Sequence, residues 1–476
     1  MRFSEYFKLN KSQAELDFVD IVLNRDTPLF IDPYAVGQSP DQWSTECHHL
    51  ILDYFQKAID AIREGKDDFA KQILNNLHEP QETKLGISKG KPRGRAIGAD
   101  QSIDLYDRLK ESKAVATGFL KDLEDCSLVI PNIDRDKISD ITTNIIRRKL
   151  SEYTKDQCDL LNIPTSRVPI GPFWDGHTSS WKYDYADLPV CQNQKIILVP
   201  KSIVRYRLGQ DYKEYYRHFV LNFLQEENIR AGSRLVRTLK NGTKKVYKKD
   251  LENEHPLTKE FIYDFSKNNP TVFNNYKASK KLKAESLSDQ AIEELIPEKI
   301  SIDYNSIKEK LSKIKPGSEE AHGYHDLITG ILESIFYPRW MFPKKEQEIN
   351  EGRKRIDIVF SNRSTNGFFF NLSQKIPALF MVVECKNYSR DPANPELDQI
   401  AGRFSPSRGR FGILVCRKIE DKDKFYKSCK DTVSDDRGYI IGLDDEDVLQ
   451  LLKLKAAEDE KGIDNYMDSL FRRIVM

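Results

Sequence analysis

IPALFMVVECK, residues 376–386, is the stretch on which the reading of this chain turns. From Ala378 to Val383 it is unbroken apolar sequence, about the length of a strand buried on both faces, yet it ends in Glu384 and Lys386 with one residue between them. The period of two along a strand puts Glu384 and Lys386 on one face and turns Cys385 away. Charges at the end of such a strand require a chemical reason.

Upstream, RIDIVF (residues 355–360) and FFF (368–370) flank the turn-rich SNRSTNG and predict the two strands of a hairpin. Before them, YHDLITGILESIF (324–336) carries Leu327, Ile328, Ile331, Leu332, Ile335 and Phe336 at helical spacing. Downstream, NPELDQIAGRF (394–404) predicts a helix behind its Asn-Pro start, and FGILVC (411–416) a further strand after the basic turn SPSRGR. The order is helix, three strands, helix, strand, with Asp357 and Glu384 on neighbouring strands.

Cleaving a phosphodiester requires a divalent cation to offset phosphate charge and to lower the pKa of an attacking water, plus a positive group near the developing charge. Asp357 and Glu384 suit the first task and Lys386 the second, while the backbone carbonyl of Cys385 can add a metal ligand. Hard oxygen ligands favour Mg2+ or Mn2+ over zinc. An ion pair between Lys386 and one acid would not explain why all three groups converge at the end of so apolar a strand.

On Asp357 and Glu384-Cys385-Lys386, in this order of elements, residues 317–445 resemble the PD-(D/E)xK, or restriction-endonuclease-like, nuclease superfamily. The resemblance implies an αβββαβ core and a Mg2+-dependent endodeoxyribonuclease leaving 5′-phosphates, with Asp357 and Glu384 as metal ligands and Lys386 orienting water or stabilising the transition state. DNA, as duplex, is expected over RNA because the superfamily mostly cuts DNA. Many members carry a Glu after an aromatic residue near the start of the first helix; here Tyr324 is followed by His325, about 70° from the centre of the apolar face, with Asp326 and Glu333 nearly opposite it. His325 is the candidate there, to hold a metal, contact phosphate or border the core. On the second helix Gln399 and Arg403, four apart, share a face. The resemblance implies that Gln399 supports the site; Arg403, Arg408 and Arg410 are candidate nucleic-acid contacts.

The rest of the chain is less explicit. Residues 16–31 predict extended structure ending in a turn at Asp32-Pro33, and residues 44–77 two helices parted near Gly65. Helices are expected over 102–125 and 138–161, and QKIILVPKSIVRY carries a strand ended at Pro200. The basic stretch from Arg230 to Lys249 holds no acid; around Asn241-Gly242 it predicts a hairpin presenting Arg234, Arg237, Lys244 and Lys245 to phosphates, unless Asp250, Glu252 and Glu254 offset it. Lys89, Lys91, Arg93 and Arg95 lie in a Gly-rich loop that lacks nucleotide-binding spacing. Cys47, His48 and His49 find no matching ligands, and Asp20, Asp32 and Asp140 suit turn and cap duties.

With 476 residues the chain exceeds the roughly 250 to 300 residues of a single core, so several units are expected. These are a mixed α+β recognition or sensor region at 1–264, a helical Lys-rich connector at 265–316 and the nuclease-like unit at 317–476, an α/β protein overall. Lys plus Arg number 75 against 74 Asp plus Glu, so any basic surface must be local. The seven Cys form no C-x-x-C pair, which argues against zinc ribbons and disulfide frameworks. With no signal peptide or long apolar run, a soluble cytoplasmic protein is expected. A sensor fused to such a nuclease looks like a restriction or antiphage defence effector with a protein or ligand trigger, and two-strand cleavage would favour a homodimer. A repair or transposon-associated nuclease, or a non-catalytic nucleic-acid-binding protein with a degenerate nuclease fold, are the alternatives.

Overall fold

The computed structural model describes residues 1–86, 97–206, 211–282, 286–296, 303–349, 351, 353–388 and 390–476. The loop carrying Lys89, Lys91, Arg93 and Arg95 lies outside the described residues. Helix α1 (Gln42–Arg63) starts where the Asp41 carboxylate accepts from the Ser44 amide at 2.8 Å. It stops before Gly65, whose φ of +69° lets the chain turn into the helix Asp67–Leu74. The long helix α2 (Arg135–Leu160), capped by Asp134, runs through the middle of the N-terminal core and packs on an antiparallel hairpin, β1 (Ser166–Asp175) with β2 (Ser180–Leu188). The expected strand before Pro200 shrinks to Gln194–Lys195. Residues Ile196–Val199 are buried irregular chain, with the Ile197 amide on the Glu82 carbonyl and the Leu198 amide on the Thr154 hydroxyl, both at 2.9 Å. A short apolar run reads alike in both conformations.

Helix α3 (Ala321–Phe336) leads into β3 (Trp340–Ile349), β4 (Lys354–Asn362), the short α4 (Gly367–Ser373) and β5 (Phe380–Lys386). Then come α5 (Asn394–Ala401), β6 (Phe411–Cys416), α6 (Lys422–Ser434), β7 (Tyr439–Leu443), α7 (Asp445–Ala456) and α8 (Glu460–Val475). The five strands form one sheet in the order β7-β6-β5-β4-β3, antiparallel from β3 to β5 and parallel from β5 to β7. Strand β5 is central, which is why its sequence shows no alternation. The chain is thus a mixed α+β protein.

The predicted hairpin has a different partner. FFF lies in α4 rather than in a strand: the Phe368 amide is capped by Asp464 of α8 at 3.0 Å, and Phe369 packs edge-on against Phe336. The strand beside β4 is instead WMFPKKEQEI, with Lys345 opposite Ile358. Its second half is charged because β3 is the sheet edge, and that charge hides it in the sequence.

Two apolar cores result, one collecting residues from Phe3 to Ile296, the other from Ile307 to Ile474. Tyr337, Met341 and Phe342, which follow α3, belong to the first. The described parts of the polar segment 265–316 are largely helical, and its Asp289–Leu295 helix is seated on the first core: Lys201 reaches Asp289 at 2.8 Å, and Arg2 grips Glu293 with two bonds of 2.7 Å. Helix α3 is buried on a second face that the wheel gives to solvent. Glu333 is only 2 % exposed and lies 3.8 Å from the fully buried Lys201 ammonium, itself 4.1 Å from the centre of the Tyr337 ring. All seven cysteines are buried free thiols. Among the described residues no helix is long and apolar enough to cross a membrane.

Candidate active site

The register between β4 and β5 sets Ile358 against Val383, so Asp357 comes beside Glu384. Asp357 Oδ2 accepts from the Cys385 amide at 3.0 Å, which ties the acid of one strand to the backbone of the next. The Glu384 carboxylate has no solvent exposure. Across it lies Gln399 of α5, whose Nε2 donates to Glu384 Oε2 at 2.7 Å and whose Oε1 accepts from Lys386 Nζ at 3.0 Å. Lys386 Nζ is itself 3.7 Å from Glu384 Oε2. One amide therefore holds the acid and the base in fixed relation, as the shared face of residues 384 and 386 requires.

Helix α5 comes this close because Gly412 of β6 has no side chain. A methyl there would stand 2.9 Å from Ile400 Cδ1, 3.0 Å from a Phe404 ring carbon and 3.0 Å from the Val382 carbonyl. Arg403, just past the helix, brings Nε to 3.5 Å from Glu384 Oε1, and neither of these buried atoms has a hydrogen-bond partner. His325 of α3 reaches the same place from the other side: its Nε2 lies 3.1 Å from the Cys385 carbonyl, so Nε2 carries the proton. That carbonyl keeps a second lone pair.

Burial above all, then the adjacent charge and hydrogen bond of Asp357, holds Glu384 above the usual carboxylate range; Lys386 and Arg403 pull it back in part. Burial lowers the His325 pKa, offset in part by Asp357. Lys345 of β3, which sequence reasoning missed, stands opposite Ile358 and pairs with Asp326 of α3. Burial pushes its pKa down to about 8. The only signal that could have found it is the apolar run WMF giving way to the charged KKEQE of residues 344–348 within one strand.

Among the described residues no group of three or more His, Cys, Asp or Glu side chains is arranged to hold a metal ion. The oxygens on offer at this site are two carboxylates, with Glu384 Oε1 buried and unbonded, and the Cys385 carbonyl. A buried Glu384, held above the usual carboxylate range beside the half-buried Asp357, fits a hard cation in place of its proton. With so few protein ligands, water or substrate oxygens would complete its shell.

The other predicted contacts lie apart. Arg408 Nε donates to the Arg403 carbonyl at 3.1 Å and Arg410 pairs with Asp436 at 2.8 Å. Both precede β6, and since Val382 pairs with Gly412 and Lys386 with Cys416 in a parallel register, they sit at the opposite end of β5 from Lys386. The basic hairpin forms as expected, with Arg237 opposite Lys245 and Thr238 opposite Lys244, but in the N-terminal core beside the helix Leu221–Ala231. Arg234 pairs with Glu254 at 2.8 Å and Arg237 with Asp250 at 3.0 Å, so nearby acids do offset it; Lys244 and Lys245 are exposed. Asp32 caps the helix Pro33–Gly37 as expected, whereas Asp20 is a buried acceptor for the amide and hydroxyl of the distant Ser4 and Asp140 lies within α2, neither in a turn nor at a cap.

Residues 8–210 match a family model described as a domain of unknown function (DUF8370). The match ends well before the carboxylate site. No curated protein and no solved structure matches the chain.

Proposed function

We propose that the C-terminal unit is a metal-dependent nuclease of the PD-(D/E)xK type, with α3, β3, β4, β5, α5 and β6 as its αβββαβ core. Its substrate is DNA, and the N-terminal region recognises the trigger that directs it, as in a restriction or antiphage defence effector. The observation that carries the reading is the convergence of Asp357, Glu384 and Lys386 at the end of a central strand, with Gln399 bridging Glu384 and Lys386 at 2.7 and 3.0 Å.

Asp357, Glu384 and the Cys385 carbonyl would hold Mg2+ or Mn2+, which would supply charge to the phosphate and an acidified water. Gln399 takes one N–H of the Lys386 ammonium and leaves two for water or phosphate. Its other end fixes the Glu384 rotamer. His325 steadies the Cys385 carbonyl, and Arg403 partly balances Glu384 when no cation does.

The test is incubation with supercoiled plasmid, and separately RNA, in Mg2+, Mn2+ or EDTA, beside Asp357→Ala and Lys386→Ala. Metal-dependent cutting of plasmid that both substitutions abolish is expected; cutting that survives either substitution or EDTA overturns it. A second reading, a non-catalytic nucleic-acid-binding protein, is favoured by one observation: the site offers two carboxylates, and His325 already occupies one lone pair of the third ligand. Calorimetry with Mn2+ separates them, since the second reading expects no binding that Asp357→Ala removes.

A further inference from the structure

A cavity of about 750 Å3 opens between the two cores, and none of Asp357, Glu384 or Lys386 lines it. Its walls come from both sides: the turn at Ser39, Arg205 and Tyr337 from the first core, and the segment after β4 and the end of α7 from the second.

Three arginines line this space; Arg339 is taken up by Glu460 and Asp464, which leaves the guanidinium groups of Arg205 and Arg363. Arg363 is 8 % exposed; it pairs through Nε with Asp41 at 2.8 Å and through Nη2 with the Ser39 hydroxyl, while its buried Nη1 has no hydrogen-bond partner. Arg205 gives Nη1 to the carbonyls of Ser202 and Val204, both at 2.8 Å, and forms no ion pair among the described residues. Burial chiefly, with the Arg363 charge added, lowers the Arg205 pKa, and Asp32 offsets this in part. Of the three acids on the walls, Asp289 is engaged by Lys201 at 2.8 Å and Glu460 by Arg339 and Lys455 at 2.6 and 2.7 Å, while Glu458 is exposed to solvent and forms no ion pair among the described residues. Asp41 already balances Arg363, whereas Arg205 brings a second positive charge to the same cavity with only carbonyls for partners, and that charge is costly to bury unless an anion joins it. The planar donor fork of arginine suits phosphate, and the volume suits a drug-sized ligand rather than a lone ion. Tyr304 adds an aromatic face to the wall.

We propose that this cavity binds a nucleotide, with its phosphates on Arg205 and Arg363. Because each arginine belongs to a different part of the chain, the bound ligand fastens the two cores together. The inference does not depend on the nuclease reading. It is tested by calorimetry on the full chain in EDTA with adenine and guanine nucleotides bearing one to three phosphates, and with inorganic phosphate. At least one nucleotide should bind, and Arg205→Gln and Arg363→Gln should each weaken it about tenfold or more, the scale of a charge-assisted hydrogen bond, whereas Lys386→Ala should not. Should Arg363→Gln fail to fold for want of its Asp41 pair, Arg205→Gln alone carries the test. No binding by any nucleotide, inorganic phosphate binding as tightly as the nucleotides, or unchanged binding by Arg205→Gln would each overturn the proposal.

Discussion

Replacing Gln399 with Ala removes two contacts at once and tests whether that bridge organises the site. It leaves the fully buried Glu384 without its 2.7 Å donor and frees the Lys386 ammonium from its 3.0 Å acceptor. Hydrogen bonds to charged groups are worth about 1.5–3 kcal/mol, and about 1.4 kcal/mol is tenfold in rate, so on the nuclease reading proposed above one such loss expressed in the transition state should slow cleavage about 10- to 100-fold. Gln399→Glu is the sharper variant. It can still accept from Lys386, but once ionised it cannot donate to Glu384, and it sets a third negative charge beside two carboxylates that already repel each other. Plasmid nicking rates at saturating Mg2+ should therefore fall at least as far as with alanine, and thermal melting would confirm that both proteins are folded. Rates within twofold of the parent for Gln399→Ala, or a faster Gln399→Glu at neutral pH, would refute the bridging role.

Three further outcomes are expected. Lys201→Met strands Asp289 and Glu333 in the interior without their cation and should cost about 3–5 kcal/mol in denaturant unfolding; an unchanged midpoint would show that the junction does not need its charge. Gly412→Ala drives a methyl into Ile400 and the Val382 carbonyl, an overpacking cost of about 1–3 kcal/mol, and should lower nuclease rate together with melting temperature because α5 carries Gln399. Glu124 is buried and its pKa is pushed up from 4.5 to about 8, by desolvation first and then by Asp122, Asp125 and Asp32. A carboxyl whose folded pKa is raised favours the fold fully below its unfolded pKa and loses that advantage as pH rises through the folded value. Glu124→Gln should therefore gain stability over the parent as pH rises from about 4.5 to about 8, by up to roughly 1.4 kcal/mol per pH unit; a difference in unfolding free energy that stays flat across that window would contradict it.

How much of this was legible in the sequence depended on whether one residue pattern had one physical cause. Strand β5 was legible because only a central strand leaves Ala378 to Val383 without a polar interruption. Gln399 was legible as a support of the site and does reach Glu384, whereas Arg403, read as a nucleic-acid contact on the same helical side, lies in the turn past the end of α5 and faces Glu384 instead. The two strands of the predicted hairpin were not, since three phenylalanines suit a buried helix as well as a strand, and the true edge strand carries Lys and Glu where an inner one carries Val. Glu333 was misplaced for a related reason: a helical wheel finds one apolar side, and α3 buries a second through ion pairing with residues more than a hundred positions away. The hairpin β1–β2 left little trace because many of its residues are exposed.

Helix α3 bears on how freely this C-terminal unit could be exchanged between proteins. Its start supplies His325 to the Cys385 carbonyl, while Glu333 and the residues just beyond its end, Tyr337, Met341 and Phe342, are enclosed by the N-terminal half. A fragment cut at residue 317 would bare those three apolar side chains, and sticky, poorly soluble preparations would be its natural outcome. Transplanting the unit onto another recognition module would require the new partner to supply a matching cation and apolar seat, so the two halves of this chain are expected to have changed in concert rather than by shuffling.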